Sequence, residues 1–97
     1  MIRISNVIVT EKSLTVDLVD GRSISVPIGW YPRLEAGTPA ERANWRLTGQ
    51  GEGIHWPDLD EDVSAANLIA GHPSSESQSS LKKWKEERSR GSTATNA

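Results

Sequence analysis

Two runs of alternating apolar residues meet across Asp20-Gly21, and this pairing constrains the N-terminal third of the chain more than any other feature. Leu14, Val16 and Leu18 precede the dipeptide and Ile24, Val26 and Ile28 follow it, each separated by one residue. A two-residue period puts such side chains on one face of a strand. Asp-Gly is a strong hairpin signal, because glycine takes a positive φ without steric cost, and it predicts a tight primed turn here. Ile2, Ile4, Val7 and Val9 alternate in the same way, with a slip after Ile4. A first strand with a bulge at Ser5-Asn6 therefore completes a three-stranded antiparallel meander. Pro27 has no N–H for the ladder, so the third strand ends there or lies at an edge.

Beyond Gly29 the local signals change period. Trp30, Tyr31 and Leu34, with Pro32 at a first-turn position, predict a short amphipathic helix reaching Ala36 and stopped by Gly37. Thr38-Pro39-Ala40-Glu41 has the spacing of a capping box and predicts a second helical turn over residues 39–43. Trp45-Arg46-Leu47-Thr48 and Gly53-Ile54-His55-Trp56, joined by Gly49-Gln50-Gly51-Glu52, predict two more short strands or one bent ribbon that ends at Trp56-Pro57. Asp60, Glu61 and Asp62 are expected just ahead of a final helix, where its dipole favours negative charge. Ser64 would cap that helix, Leu59 and Val63 staple its start, and Gly71 close it. The expected fold class is α+β: a small antiparallel N-terminal strand meander, short helices, further short strands and a final helix, then a basic C-terminal tail.

Size and charge divide the chain. Of 97 residues none is cysteine, so no disulfide supports the core, and a core this small supplies only about 3 to 5 kcal/mol unless a partner helps. Residues 1–71 hold six basic and ten acidic side chains, and residues 72–97 five and three. The reading is a compact α+β domain over 1–71 and a serine-rich basic tail over 72–97, disordered or helical on binding. Leu81, Trp84 and Arg88 fall at i, i+3, i+7 in that tail, with Lys85 among the basic residues between them, as in a helix with one narrow apolar stripe. No apolar run approaches the roughly 18 residues of a membrane span, and MIRISNVIVT lacks the features of a signal peptide, which places the protein in the cytoplasm without a membrane partner. The weak basic footprint does not point to nucleic acid.

The residues with chemistry to offer gather at His55, Asp58, Asp60, Glu61 and Asp62. Asp58, Asp60 and Asp62 imitate the opening of a calcium loop, yet Val63 stands where that loop needs glycine and Ile69 where it needs the bidentate glutamate. With no cysteine and histidines only at 55 and 72 there is no zinc ligand set, so no metal and no cofactor are expected. His55 with Asp58 or Asp60 has the residue types of an acid/base pair, but no serine sits in a strand-to-helix elbow, and Gly49-x-Gly51-x-Gly53 lacks the lysine of a phosphate loop. No catalytic residues are assigned. Four tryptophans and no phenylalanine make Trp30, Trp45 and Trp56 core candidates that also suit a groove or an oligomer interface.

The stretch Gly51-x-Gly53-Ile54-His55-Trp56-Pro57-x-Leu59-Asp60-Glu61-Asp62-x-Ser64, followed by Leu68-Ile69-x-Gly71, together with Asp20-Gly21-Arg22 and Trp30-Tyr31-Pro32-Arg33-Leu34, resembles the small bacterial and phage domain of unknown function 2442 over about residues 2–71. The resemblance implies a compact α+β domain. It also implies a binding role over an enzymatic one, because members stand alone, fused to helix-turn-helix domains, or beside another small protein in a layout like a toxin and antitoxin pair. The expectation is a non-catalytic protein-interaction module, antitoxin-like, that binds a small protein encoded next to it. The alternative is a homo-oligomer that sequesters a nucleotide-like ligand, as in phage anti-defence, with Arg33, Arg42 or Arg46 on phosphate. Candidate contact residues are Trp30, Tyr31, Arg33, Trp45, Arg46, His55, Trp56, Asp58, Asp60, Glu61 and Asp62, with Leu81, Trp84, Lys85 and Arg88 in the tail.

Overall fold

The alternating runs fold as their period requires. In the computed structural model, which describes residues 2–96 and the side chains of residues 2–89, strands β1 (Ile4–Val9), β2 (Ser13–Leu18) and β3 (Ser23–Pro27) form an antiparallel sheet in that order. Its register pairs Val16 with Val7 on one side and with Ile24 on the other, and it shifts between Ile4 and Asn6, which is the bulge expected at Ser5-Asn6. The β2–β3 turn differs from the expected primed type. Gly21 donates to the Leu18 carbonyl and has φ +96°, the Leu18 N–H is taken by the Arg22 carbonyl, and Asp20 is not among the residues with positive φ. A turn with only its last residue left-handed is the three-residue, bulged form of the hairpin.

Two short helices bridge to a second sheet. The single helix expected from Trp30 to Ala36 is split: a 3₁₀ turn spans Ile28–Trp30, Tyr31 breaks it at φ −127°, and α1 runs over Pro32–Ala36 with Pro32 in its first turn. Helix α2 (Pro39–Ala43) starts with both hydrogen bonds of a capping box, Glu41 N–H to Thr38 Oγ1 at 3.1 Å and Thr38 N–H to Glu41 Oε1 at 2.9 Å. Arg42 folds back from α2 and donates to the carbonyls of Leu34, Glu35 and Gly37, satisfying groups that the end of α1 leaves open.

Strands β4 (Arg46–Thr48), β5 (Gly53–Trp56) and β6 (Glu61–Ser64) make the second antiparallel sheet. The third strand corrects the expectation that residues 60–62 lie ahead of a helix: Glu61, Asp62 and Val63 pair with Trp56, His55 and Ile54. Helix α3 (Ala65–Ala70) then begins on Ser64, whose Oγ accepts from Asn67 N–H at 3.1 Å, and ends at Gly71 in the left-handed region. Side chains from both sheets and from α1 and α3 meet in one apolar core around Leu14, Val16, Leu34, Ile54, Trp56 and Leu59, and among the described residues its fully buried members lie within residues 4–68. Helix α4 (Gln78–Asn96), about 29 Å long at 1.5 Å per residue, stands beside this body and stretches the molecule to 49 Å against 24 and 23 Å in the other directions.

Candidate functional site

Pleating decides what each residue of the polar cluster does. On the second sheet Leu47, Ile54 and Val63 form one row of directly opposed residues, with Ile54 and Val63 buried, and Arg46, His55 and Asp62 form the neighbouring row on the other face. His55 Nδ1 lies 2.9 Å from Asp62 Oδ1, so the carboxylate orients the ring from the adjacent strand. The Asp62 side chain keeps 74% of its surface exposed. Neither Asp58 nor Asp60 is bonded to His55. Asp58 accepts from Asn44 Nδ2 at 2.8 Å, and Asp60, at φ +49°, is 83% exposed with Oδ2 3.6 Å from Arg33 Nη1. Among the described residues no group of three or more His, Asp or Glu side chains could hold a metal ion.

Glu61 takes the opposite face. It pairs with the fully buried Trp56, and its carboxyl is carried inward, where Oε1 accepts from Asp62 N–H at 3.0 Å and Oε2 is buried without a hydrogen-bond partner. Burial, with Glu76 and Asp62 nearby, holds this carboxyl above the usual carboxylate range. Burial also raises the neighbouring Tyr31 hydroxyl, which reaches the His72 carbonyl at 3.5 Å, and the Glu61 charge adds to that shift. A carboxyl whose proton is held more tightly in the folded chain favours folding below its unfolded value, and that contribution is lost as pH rises through the folded value. Glu61→Gln keeps the shape and removes the charge. It is expected to raise Tm near pH 7 and to leave it close to the parent's near pH 4; a parent-like or lower Tm at neutral pH would contradict this account of Glu61.

The second cluster is built around Trp84 and draws on residues far apart in the chain. The Arg33 guanidinium lies 4.9 Å from the Trp84 ring centre and that of Arg88 4.7 Å, so two cations share one indole. Arg33 donates Nε to both Glu76 carboxylate oxygens at 2.9 Å and Nη1 to the Asp60 carbonyl at 3.1 Å. Arg88 holds Glu41 through Nη2 at 2.9 Å and Nη1 at 3.2 Å, and reaches the Asp58 carbonyl at 3.3 Å. These bonds keep the Glu76 and Glu41 carboxyls below the ordinary range, with the arginine as the leading cause in both, and push Arg33 up. Glu76 and Glu41 escaped the sequence reading. Glu41 was visible there only as a capping residue, and nothing near Glu76 in sequence points to Arg33.

The remaining candidates separate. Trp56 is fully buried and its Nε1–H donates to the Arg42 carbonyl at 3.0 Å. Trp30 and Trp45 are half-buried against the core, Trp30 also accepting Ser74 N–H on its carbonyl. Arg46 is exposed on the outer face of β4. Leu81 and Lys85 line an open recess along one side of α4 with Lys82 and Glu86. A polar cleft of about 150 Å³ between Tyr31, Asp62, Asn67, His72 and Ser74 is smaller than the roughly 300 Å³ or more that small-molecule sites occupy. No helix among the described residues is long and apolar enough to cross a membrane.

The family model described as Protein of unknown function (DUF2442) matches residues 4–74. A crystal structure of a protein of unknown function from Rhodospirillum rubrum is similar with a TM-score of 0.67 and 27% identity, over 78% of this chain and 94% of that one. The solution structure of an uncharacterized protein from Chromobacterium violaceum is similar in fold, with a TM-score of 0.65 and 22% identity over 89% of this chain and 75% of that one. No curated protein matches the chain.

Proposed function

The chain belongs to the DUF2442 family, and from that premise we propose that it is a non-catalytic protein-interaction module, antitoxin-like, whose partner is a small basic protein encoded beside it. The observation that carries this reading is an acidic rim. Asp58, Asp60 and Asp62 project from the turn between β5 and β6 and from β6 itself, all three exposed, and each is oriented by a neighbour: Asn44, Arg33 and His55. Exposed carboxylates held in place steer a basic partner and set its register. The domain's excess of ten acidic over six basic residues extends the same field. Arg33 and Arg42 are engaged with Glu76 and with backbone carbonyls, which weakens the reading of a nucleotide-phosphate binder.

Inducing the neighbouring reading frame alone, with this chain, and with an Asp58→Asn/Asp60→Asn/Asp62→Asn variant tests the proposal. The neighbour is expected to arrest growth, the parent chain to restore it and to co-purify with the neighbour, and the variant to lose both effects. A neighbour that is harmless and does not co-purify removes this reading, and rescue undiminished in the variant removes the acidic rim from it.

A further inference from the structure

We infer that α4 is a releasable strap, which undocks from its seat around Trp84 while the body of the chain keeps its fold. The apolar part of the seat is small. Trp84 is the one apolar residue of the described part of α4 that packs against the core cluster, and it is only half-buried. Among the described residues every fully buried apolar side chain lies within residues 4–68, so the helix can leave without opening the core they form. What holds α4 is charge. The Arg33–Glu76 pair fastens the segment that leads into the helix, with Arg33 15% and Glu76 11% exposed, and Ser80 Oγ adds a bond to the same carboxylate at 3.0 Å. The Arg88–Glu41 pair fastens the helix one turn beyond Trp84, and both guanidinium groups lie close to the indole ring centre, at 4.9 and 4.7 Å.

The arrangement has the form of an autoinhibitory contact. The seat consists of Arg33, which the Asp60 carbonyl holds in place, of Glu41 and of the Asp58 carbonyl, all within the residues that match the family, and α4 lies outside them. An appended helix therefore covers a surface of the family domain, and its release uncovers Arg33 and Glu41 while freeing Trp84. Leaving one charge of a paired, partly buried set without its partner is costly, so removing either carboxylate shifts the balance toward the open form.

The strap is read on the isolated full-length chain, so its outcome is independent of whether a partner exists. In a ¹⁵N-labelled sample the four tryptophan indole N–H resonances are followed while NaCl rises from about 0.02 M to about 1 M, where the Debye length falls to about 3 Å. A Trp84→Phe variant identifies the Trp84 signal. That resonance is expected to move toward its position in an unfolded peptide, while that of Trp56, bonded to the Arg42 carbonyl, stays in place. Glu76→Gln is expected to raise the open population about tenfold at low salt, and Lys83→Ala, on an exposed residue, to leave it unchanged. Trp84 and Trp56 signals that move together, or a Trp84 signal that stays fixed both in high salt and in Glu76→Gln, would overturn the proposal.

Discussion

Trp56→Ala is expected to remove about 3 to 5 kcal/mol of stability, enough to leave much of the protein unfolded at growth temperature, because domains of this size have little to spare. Trp56 is the largest of the fully buried side chains and stands on β5, facing inward between both sheets. Truncation leaves a cavity that the surrounding aliphatic residues fill only in part, and it strips the Arg42 carbonyl of the indole N–H at 3.0 Å. Trp56→Phe separates these effects, since it keeps most of the apolar volume and loses the donor. It is expected to cost about 1 to 3 kcal/mol, from the unpaired carbonyl and the smaller ring. Urea unfolding followed by circular dichroism measures both. A Trp56→Ala loss below about 1 kcal/mol would mean that the core does not depend on this ring.

The contrast with Trp84 shows how one residue type serves two purposes here. Trp84 is itself only half-buried, so the expected effect of Trp84→Ala on unfolding of the body is small, while its effect on the strap is large. A substitution that destabilised the whole chain as much as Trp56→Ala would place α4 inside the cooperative core. That result would also remove the argument that the helix opens on its own.

Elements that depend on neighbours in sequence were legible in it. The meander follows from period-2 alternation, the bulge from the slip after Ile4, α2 from Thr38 and Glu41 three residues apart, and α3 from Ser64 and Gly71 at its two ends. The β6 strand was not, because Glu61-Asp62-Val63-Ser64 offers two carboxylates and a cap where strands favour branched and aromatic residues. Its pairing comes from β5, which supplies a ready edge after a four-residue turn. The missed strand then misplaced Glu61. Read as part of a charged loop it belongs with Asp60 and Asp62, whereas one step along a strand turns it to the face of Trp56.

The Trp84 seat shows a different limit. The Leu81, Trp84 and Arg88 spacing marks one face of a helix, and that much is local. What the face meets is not: Arg33 and Glu41 precede Trp84 and Arg88 by more than forty residues, and Glu76 sits in a serine-rich segment whose composition suggests solvent. Arginine and glutamate are common on any surface, so only the folded backbone distinguishes these four from the rest.

Gly51→Ala is the second large loss expected, about 2 to 4 kcal/mol, from two costs that a control can separate. Gly49, Gln50 and Gly51 all have positive φ, at +55°, +59° and +94°, which reverses the chain between β4 and β5. An L-residue held in the left-handed region costs roughly 1 to 2 kcal/mol. A methyl group on Gly51 would also meet the Ile4 carbonyl oxygen at 3.1 Å and Arg3 Cβ at 3.4 Å. The obstacle is backbone of β1, which cannot swing aside as a long side chain can, so the turn and the first strand must move apart. Gly21→Ala is the control, because Gly21 has nearly the same φ, +96°, and nothing within 4 Å of the added carbon. It is expected to cost only the conformational part. The difference between the two variants measures how firmly the second sheet is seated on the first, and equal losses would show that the contact at Ile4 yields without cost.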